Sequence, residues 1–350
     1  MQFKFLIALP LIAVLAACGG GGGDSADSAG AGAGFPPPIQ GPGVAGTPLV
    51  TSVPSANYAA ASEEMAAFNF LNAERQRCGF GQVSQSAALD LAARGHADWN
   101  LINGFTGHFQ TSGSQGFTGA SDVARIVSAG FASSASDFTA TDLNMSIVGR
   151  TNLSGSGVRG MRALLNAPYH STALLDGFKE AGIAARSTNS VTRIASAPSA
   201  VTLQVKLAKR VVDGPQLIAS ADVATYPCQG STGILPALRG EDPNPVPDRD
   251  LQAEPLGSTI TLLTRQGQQM QIQTATLVRV DTGAMVTLRP GRNSLNDPNP
   301  GVLASHQAYV TADAPLANNT MYRATITGFN GSGQGFTKEF TFTTGLDDGL

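Results

Sequence analysis

The sequence predicts an α+β fold, because helical patterning dominates the first half of the chain and strand patterning the second. Met65, Phe68 and Leu71 recur at the i, i+3, i+6 spacing of a helix face. Between 201 and 207 apolar and polar residues alternate strictly, which is typical of a half-buried strand. Helices that precede strands in this order favour an α+β sandwich.

Five helical elements are predicted in chain order. The first four are bounded by a capping serine, a glycine or a proline. They are a helix with Glu63 and Glu64 in its first turn that ends at Gly79, a helix over 84–101 capped by Ser84, a helix over 121–129 capped by Ser121, a helix over 156–167 that ends before Pro168, and a helical turn at 171–176. Residues 182–185 are the expected partner of the 201–207 strand. The segments 103–120 and 130–157 are rich in Gly, Ser and Thr, so we predict long loops there, which often form binding surfaces.

The C-terminal segment 258–345 is predicted to be an all-β unit. Six or seven short runs of β-branched and aromatic residues are separated by turn residues such as Asn330 and Gly331. That density of short strands fits an immunoglobulin-like β-sandwich. The stretches 315–322 and 340–345 also resemble bacterial immunoglobulin-like modules, which act as spacers or adhesive units. A Pro-rich linker is predicted at 231–257, between this unit and a first domain at 57–230.

Composition excludes several classes of protein. The net charge of the 350 residues is −3 and the pI is near 5.8, which argues against a nucleic-acid partner. With 3 Cys and 4 His, neither a disulfide-dense scaffold nor a multi-zinc protein is expected. The long apolar run at 5–17 is shorter than the roughly 20 residues that a permanent membrane helix needs.

The N-terminus is predicted to be a targeting segment. Residues 1–17 combine Lys4 with an apolar run, as in a signal peptide, and Leu15-Ala16-Ala17-Cys18 resembles a bacterial lipobox. Lipidation of Cys18 would anchor the protein to a membrane, and Gly19 is typical of lipoproteins sent to the outer membrane. Residues 18–56 are then a flexible tether rich in Gly, Ala and Pro. The alternative is an ordinary secretory signal with a chance cysteine.

Cys78 and Cys228 remain once Cys18 is assigned to lipid. In an oxidising compartment two cysteines favour one disulfide, although two free buried thiols are the alternative. In the chain-entropy model, closing a loop of about 150 residues stabilises the fold by about 5 kcal/mol.

Seven motifs occur in order over about 57–210. They are Leu71-Asn72-Ala73-Glu74-Arg75, the stretch Leu91 to Trp99, Gly107-His108-Phe109, the stretch Asp122 to Ile126, Ala129-Gly130-Phe131, Leu165-Asn166-Ala167-Pro168-Tyr169-His170 and Ala181-Gly182-Ile183-Ala184. Together these motifs resemble the CAP superfamily of cysteine-rich secretory, antigen 5 and pathogenesis-related proteins, also called SCP-like. The resemblance implies a three-layer α-β-α sandwich. It also implies a cleft that holds two histidines and acidic residues.

His108 and His170 stand at the positions of the two family histidines. Imidazole titrates near neutral pH and binds divalent metals, so both are candidate ligands for zinc or for a substrate. Asn144 stands where the family has a glutamate. Without a carboxylate nothing is expected to orient the rings, and two histidines alone make a poor zinc site. Both histidines could instead be structural, as is expected of His96, whereas His306 is predicted to lie on the surface.

The sequence therefore predicts an extracytoplasmic binding or interaction module with a degenerate cleft, anchored in the cell envelope by lipid at the outer membrane. Its partner would be an apolar ligand, a cell-wall component or another protein. An enzyme is the alternative: a hydrolase with His108 or His170 as base, assisted by Ser146 or a metal ion. A third interpretation is a surface spacer without a small ligand.

Overall fold

The computed structural model describes residues 44–347 and 349, which belong to one compact unit. The predicted signal peptide and Cys18 lie outside the described residues, as does the tether up to residue 43. Five α-helices are present in the described part: α1 Glu63–Cys78, α2 Ala87–Asn103, α3 Asp122–Ser128, α4 Ser156–Asn166 and α5 Pro168–Leu175. None of these helices has the length and apolar character needed to cross a membrane.

Local capping chemistry sets the ends of helix α1. The Ser62 hydroxyl accepts a hydrogen bond from the Met65 amide at 3.1 Å, which satisfies one of the free donors of the first turn. Gly79 ends the helix at φ 82°, a left-handed conformation that favours glycine. The predicted end of this helix is confirmed.

The other helices follow the sequence prediction with two shifts in their starting points. Helix α2 begins at Ala87 rather than at 84, because Ser84 belongs to a short strand. Helix α5 begins at Pro168, a residue that fits the first turn of a helix, so the predicted turn at 171–176 is longer than expected. Ser121 caps α3 as predicted, by accepting a hydrogen bond from the Ala124 amide.

The first sheet has the strand order β1-β3-β4-β2. Its strands are β1 Ser84–Gln85, β2 Phe138–Val148, β3 Glu180–Ser187 and β4 Ala200–Arg210. Strand β4 pairs antiparallel with β2 over its whole length and with β3 over residues 201–208. The predicted loop over 130–157 is wrong for residues 138–148, because they form strand β2.

Helices cover both faces of this sheet. On one face Gly160 of α4 lies against Leu203, and on the other Gly182 of β3 lies against Leu89 of α2. The strand predicted to be half-buried is therefore buried from Ala200 to Ala208. The polar side chains of that strand lie beneath α2, and they form the base of the site described below.

The remaining strands form two further main sheets and one short pair. The sheets have the orders β11-β10-β14-β15-β6 and β12-β13-β9-β5, and β7 pairs with β8. The strands are β5 Ala224–Tyr226, β6 Ser231–Ile234, β7 Ala237–Leu238, β8 Leu256–Gly257, β9 Thr259–Leu263, β10 Gln271–Arg279, β11 Met285–Val286, β12 Arg292–Asn293, β13 Gln307–Thr311, β14 Met321–Phe329 and β15 Gly335–Thr344. Apolar side chains of both main sheets share one core, for example Val310, Ile326 and Phe342.

The helical part and the β-rich part are joined through strands and side chains. Strand β5 pairs with β9, and β6 of the predicted linker pairs with β15. Asn166 of α4 donates to the Ala237 carbonyl at 2.8 Å and accepts from the Thr259 amide at 3.1 Å. Residues 47–50 of the predicted tether also pack on the fold, since the Thr47 amide donates to the Pro215 carbonyl at 2.8 Å. The ordered part of the chain thus begins before residue 57.

The two cysteines outside the signal form a disulfide. The Sγ atoms of Cys78 and Cys228 lie 2.11 Å apart, with 5.5 Å between the Cα atoms. The bond joins the end of α1 to the turn between β5 and β6. It links two chain regions separated by 150 residues.

Candidate functional site

His108 is the most accessible of the predicted site residues. Its side chain is 41% exposed, and its Nδ1 lies 3.6 Å from Oδ2 of Asp142, a carboxylate on β2 that is 4% exposed. With Nδ1 turned toward Asp142, the other ring nitrogen is free to face a ligand. The prediction that no carboxylate lies beside this ring is therefore wrong, because Asp142 occupies that position.

Asp142 is the centre of a buried charge cluster. Its Oδ2 lies 2.8 Å from Nη2 of Arg125, and its Oδ1 lies 2.7 Å from Nζ of Lys206. Gln204 donates a further hydrogen bond to Oδ1. Burial acts to raise the pKa of Asp142, but the His108 contact and the charge of Lys206 outweigh it and hold this pKa well below its usual range. The carboxylate is therefore charged at neutral pH and contacts two buried cations.

His96 supports the loop that carries His108. Its Nε2 donates to the Gly107 carbonyl at 2.8 Å, and its Nδ1 accepts from Nε2 of Gln110 at 3.1 Å, an arrangement that requires a neutral ring. Burial lowers the pKa of His96 to about 4, although Asp142 opposes this shift. The structural role predicted for His96 agrees with these contacts.

Asn144 lies on the same face of β2 as Asp142 and reaches the same loop. Its Nδ2 donates to the Gly107 carbonyl at 3.2 Å. The carbonyl before His108 is thus held by Asn144 and His96 together. Of the predicted site residues, Asn144 and His108 are brought together by the fold.

His170 belongs to a different pair. Its Nδ1 lies 2.8 Å from Oε1 of Glu241, whose side chain is fully buried, and His170 itself is only 16% exposed. Burial lowers the pKa of His170, but the charge of Glu241 and its hydrogen bond outweigh this, so the pKa is raised. The pair ties α5 to the segment after β7. Its geometry suits a structural link better than ligand binding.

The two histidines therefore do not share a set of metal ligands. Each Nδ1 is engaged by its own carboxylate, and no group of three or more His, Cys, Asp or Glu residues that could hold a metal is found within the described ranges. The donor set does not fit zinc. Ser146, the other candidate for chemistry, donates its hydroxyl to Thr202 at 3.0 Å rather than to a histidine. His306 is only 5% exposed and contacts Asp176 at 3.0 Å, so its predicted surface position is wrong.

An exposed set of aromatic residues surrounds His108 in the chain. Phe105, Phe109 and Phe117 are 54%, 77% and 38% exposed, and we call these three side chains the aromatic face. Phe105 stacks on the buried Trp99 with 5.5 Å between ring centroids. The rest of the loop is fixed by polar contacts, such as Trp99 Nε1 with Ser114 Oγ at 2.6 Å. In the sequence, this surface was indicated only by the richness of residues 103–120 in Gly, Ser and Thr, which predicted a loop.

No protein-family model matches the chain, and no curated protein does.

Proposed function

We propose that the chain is a lipid-anchored binding module of the cell envelope, in which the aromatic face beside His108 contacts the ligand. The observation that carries this proposal is the exposure of three phenylalanines on one fixed loop. Three large apolar side chains exposed within thirteen residues of one loop offer apolar area that a partner could cover, and concentrated exposed apolar surface is typical of binding sites.

The base of this loop is held in place before any ligand binds. Arg125 Nη2 donates to the His108 carbonyl at 2.9 Å, and Gln110 accepts from the Thr118 amide at 2.8 Å. Because the loop is already ordered, less conformational entropy is lost on binding. This organisation favours a recognition surface over a mobile loop.

The chemistry of the loop favours an uncharged ligand. Residues 103–120 contain no Lys, Arg, Asp or Glu, and His108 is the single titratable side chain among them. Aromatic rings bind flat apolar faces, and the neighbouring Ser, Thr, Gln and Asn side chains bind hydroxyls and amides. A cell-wall glycan, whose sugars present both, is the ligand class that we propose.

The fold supports a CAP-like assignment for the first part of the chain. Helices cover both faces of the β1-β3-β4-β2 sheet, as the α-β-α arrangement implied by the motif resemblance requires. The two sheets that follow share one core, which suits an immunoglobulin-like spacer. The lipobox at Cys18 supports an anchor in the outer membrane.

The experiment is co-sedimentation of the full chain with purified peptidoglycan. We expect saturable binding, with the affinity lowered at least tenfold by Phe109→Ala. Met285→Ala is the matched control, because Met285 is 65% exposed but lies on a different sheet, and it should bind like the wild type. Equal binding of the Phe109 variant and the wild type would contradict the proposal. Binding of a Cys18→Ser chain to neutral phospholipid vesicles that Phe109→Ala abolishes would instead assign the aromatic face to an apolar ligand.

A hydrolase is the second candidate, and the contact between His108 and Asp142 favours it. A carboxylate that holds Nδ1 orients the ring so that the other nitrogen can act as a base toward water or substrate. The test is hydrolysis of peptidoglycan fragments by the wild type and by His108→Ala. Loss of turnover with binding retained would favour the enzyme, and absence of turnover in both would reject it.

A further inference from the structure

A second candidate site lies on the molecule away from His108. A groove of about 850 Å³ opens between the end of α1 at Arg77–Gly79, the segment 46–49 and the segment 217–224. Arg265 and Lys338 from the C-terminal sheets complete its wall. We call this the basic groove. Its volume falls in the range of about 300–1,000 Å³ that small-molecule sites occupy.

The floor of the basic groove is apolar and rigid. Leu217, Ile218, Val223 and Ala224 line it with exposures of 3% to 8%, and the last three belong to the main hydrophobic core. The disulfide-bonded Cys78 lies in the same wall. A floor that is part of the core cannot collapse to fill the groove, so it can accept an apolar body.

The charged groups of the groove favour an anion. Arg77 is already paired with Glu74 at 3.0 Å. Within the described residues, no ion pair up to 4.0 Å is found for Arg265 or Lys338. Asp222 is the acidic residue in the lining, and it offsets one of these two charges. One net positive charge therefore remains beside an apolar floor.

We propose that the basic groove binds a monoanionic amphiphile, specifically a long-chain fatty acid. Its carboxylate contacts Arg265 and Lys338, and its alkyl chain lies on the floor formed by Leu217, Ile218 and Val223. Charge complementarity selects the acid over a neutral ester of equal length, because the net positive charge of the groove gains nothing from an uncharged head. This site is independent of the aromatic face, so either proposal can fail alone.

The test is titration of the delipidated full chain with palmitate, measured by displacement of a fluorescent fatty acid. We expect one site per chain and at least tenfold weaker binding of palmitoyl methyl ester. Arg265→Gln combined with Lys338→Gln should reduce palmitate affinity at least tenfold and leave the weak binding of the ester unchanged. Arg323→Gln is the control, since Arg323 is an exposed cation that does not line the groove.

Three outcomes would overturn the proposal. They are no binding of palmitate, equal affinity for acid and ester, and unchanged palmitate affinity in the double variant. The comparison of acid with ester uses the wild-type chain, so it decides the question even if the double variant fails to fold. A filling substitution, Leu49→Trp, should also weaken acid and ester alike, because it occupies the apolar part of the groove.

Discussion

Nδ1 of His108 lies 3.6 Å from Oδ2 of Asp142, at the edge of a buried cluster that also holds Arg125 and Lys206. The accessible His108 ring thus lies against the Asp142 carboxylate, which contacts the buried Arg125 and Lys206 on its other side. Any ligand bound at His108 would meet a ring fixed by this cluster.

Replacing Asp142 by asparagine should strongly destabilise the fold. Arg125 and Lys206 are both fully buried, and the substitution removes the one carboxylate that contacts them both. Removing one partner of a buried ion pair costs about 3–5 kcal/mol. We expect a loss of that size in the free energy of unfolding, measured by urea denaturation.

The matched control for that variant is Asp98→Asn. Asp98 contacts Arg186 at 2.7 Å, but both side chains are about a quarter exposed. A pair in contact with water contributes about 1 kcal/mol or less. Equal losses in the two variants would show that the Asp142 cluster is not the buried ionic centre described above.

His96 should make the protein less stable in acid. Its pKa is lowered by burial from 6.5 to about 4, so between these values the unfolded chain binds a proton that the folded chain does not. Stability therefore falls as the pH decreases from 6.5 to 4, by about 3 kcal/mol for the whole window. The pH dependence of the melting temperature should flatten there in His96→Gln.

His170 should contribute with the opposite sign. Its pKa is raised by Glu241 against the effect of burial, so its contribution is complete below the unfolded value of 6.5 and is lost as the pH rises through the folded value. His170→Gln should therefore remove stability at pH 6 and leave less difference from the wild type in alkaline solution. Melting temperatures of both proteins between pH 6 and alkaline pH measure this contribution. If His170→Gln lost the same stability at every pH, the raised pKa of His170 would be contradicted.

Local signals in the sequence predicted the helices well. Gly79 and Ser121 act through a left-handed turn and a backbone hydrogen bond within a few residues, so their effect is independent of the rest of the fold. Strand β4 was also predicted, because its alternation is strict. Its complete burial was not, since that depends on helices from distant parts of the chain.

Strand β2 and the carboxylates of the site were missed for the same physical reason. Asp142, Asn144 and Ser146 give β2 a polar face, which predicts a solvent-exposed loop unless the buried partners Arg125 and Lys206 are known. Glu241 is 71 residues away from His170 in the chain, so their contact follows from tertiary structure. Periodicity indicates burial by apolar groups and carries no signal for a buried polar cluster.

Gly182→Ala should disrupt the packing of α2 on the first sheet. A Cβ atom at this position would lie 2.1 Å from the carbonyl carbon of Leu89 and 2.3 Å from the amide nitrogen of Asp90. Both are backbone atoms, so the helix itself would have to move. We expect a loss of about 1–3 kcal/mol in the free energy of unfolding.

Gly240→Ala serves as the control for that substitution. The nearest atom to a Cβ there is Nε2 of Gln252 at 3.7 Å, an ordinary contact. The change in stability should stay within about 0.5 kcal/mol. A similar loss of stability in both variants would mean that the close approach of α2 and β3 is not what requires glycine at position 182.

The disulfide should account for a large share of the stability. In a Cys18→Ser background, replacing Cys78 and Cys228 by serine opens a loop between residues 150 positions apart. Loss of such a bond typically costs about 2–5 kcal/mol, chiefly because the unfolded chain gains conformational freedom. The melting temperature should fall by the same amount as when the Cys18→Ser parent is reduced, and reduction should leave the triple variant unchanged. If the reduced parent melted like the oxidised parent, the bond would contribute nothing, and packing at the end of α1 would hold this junction without it.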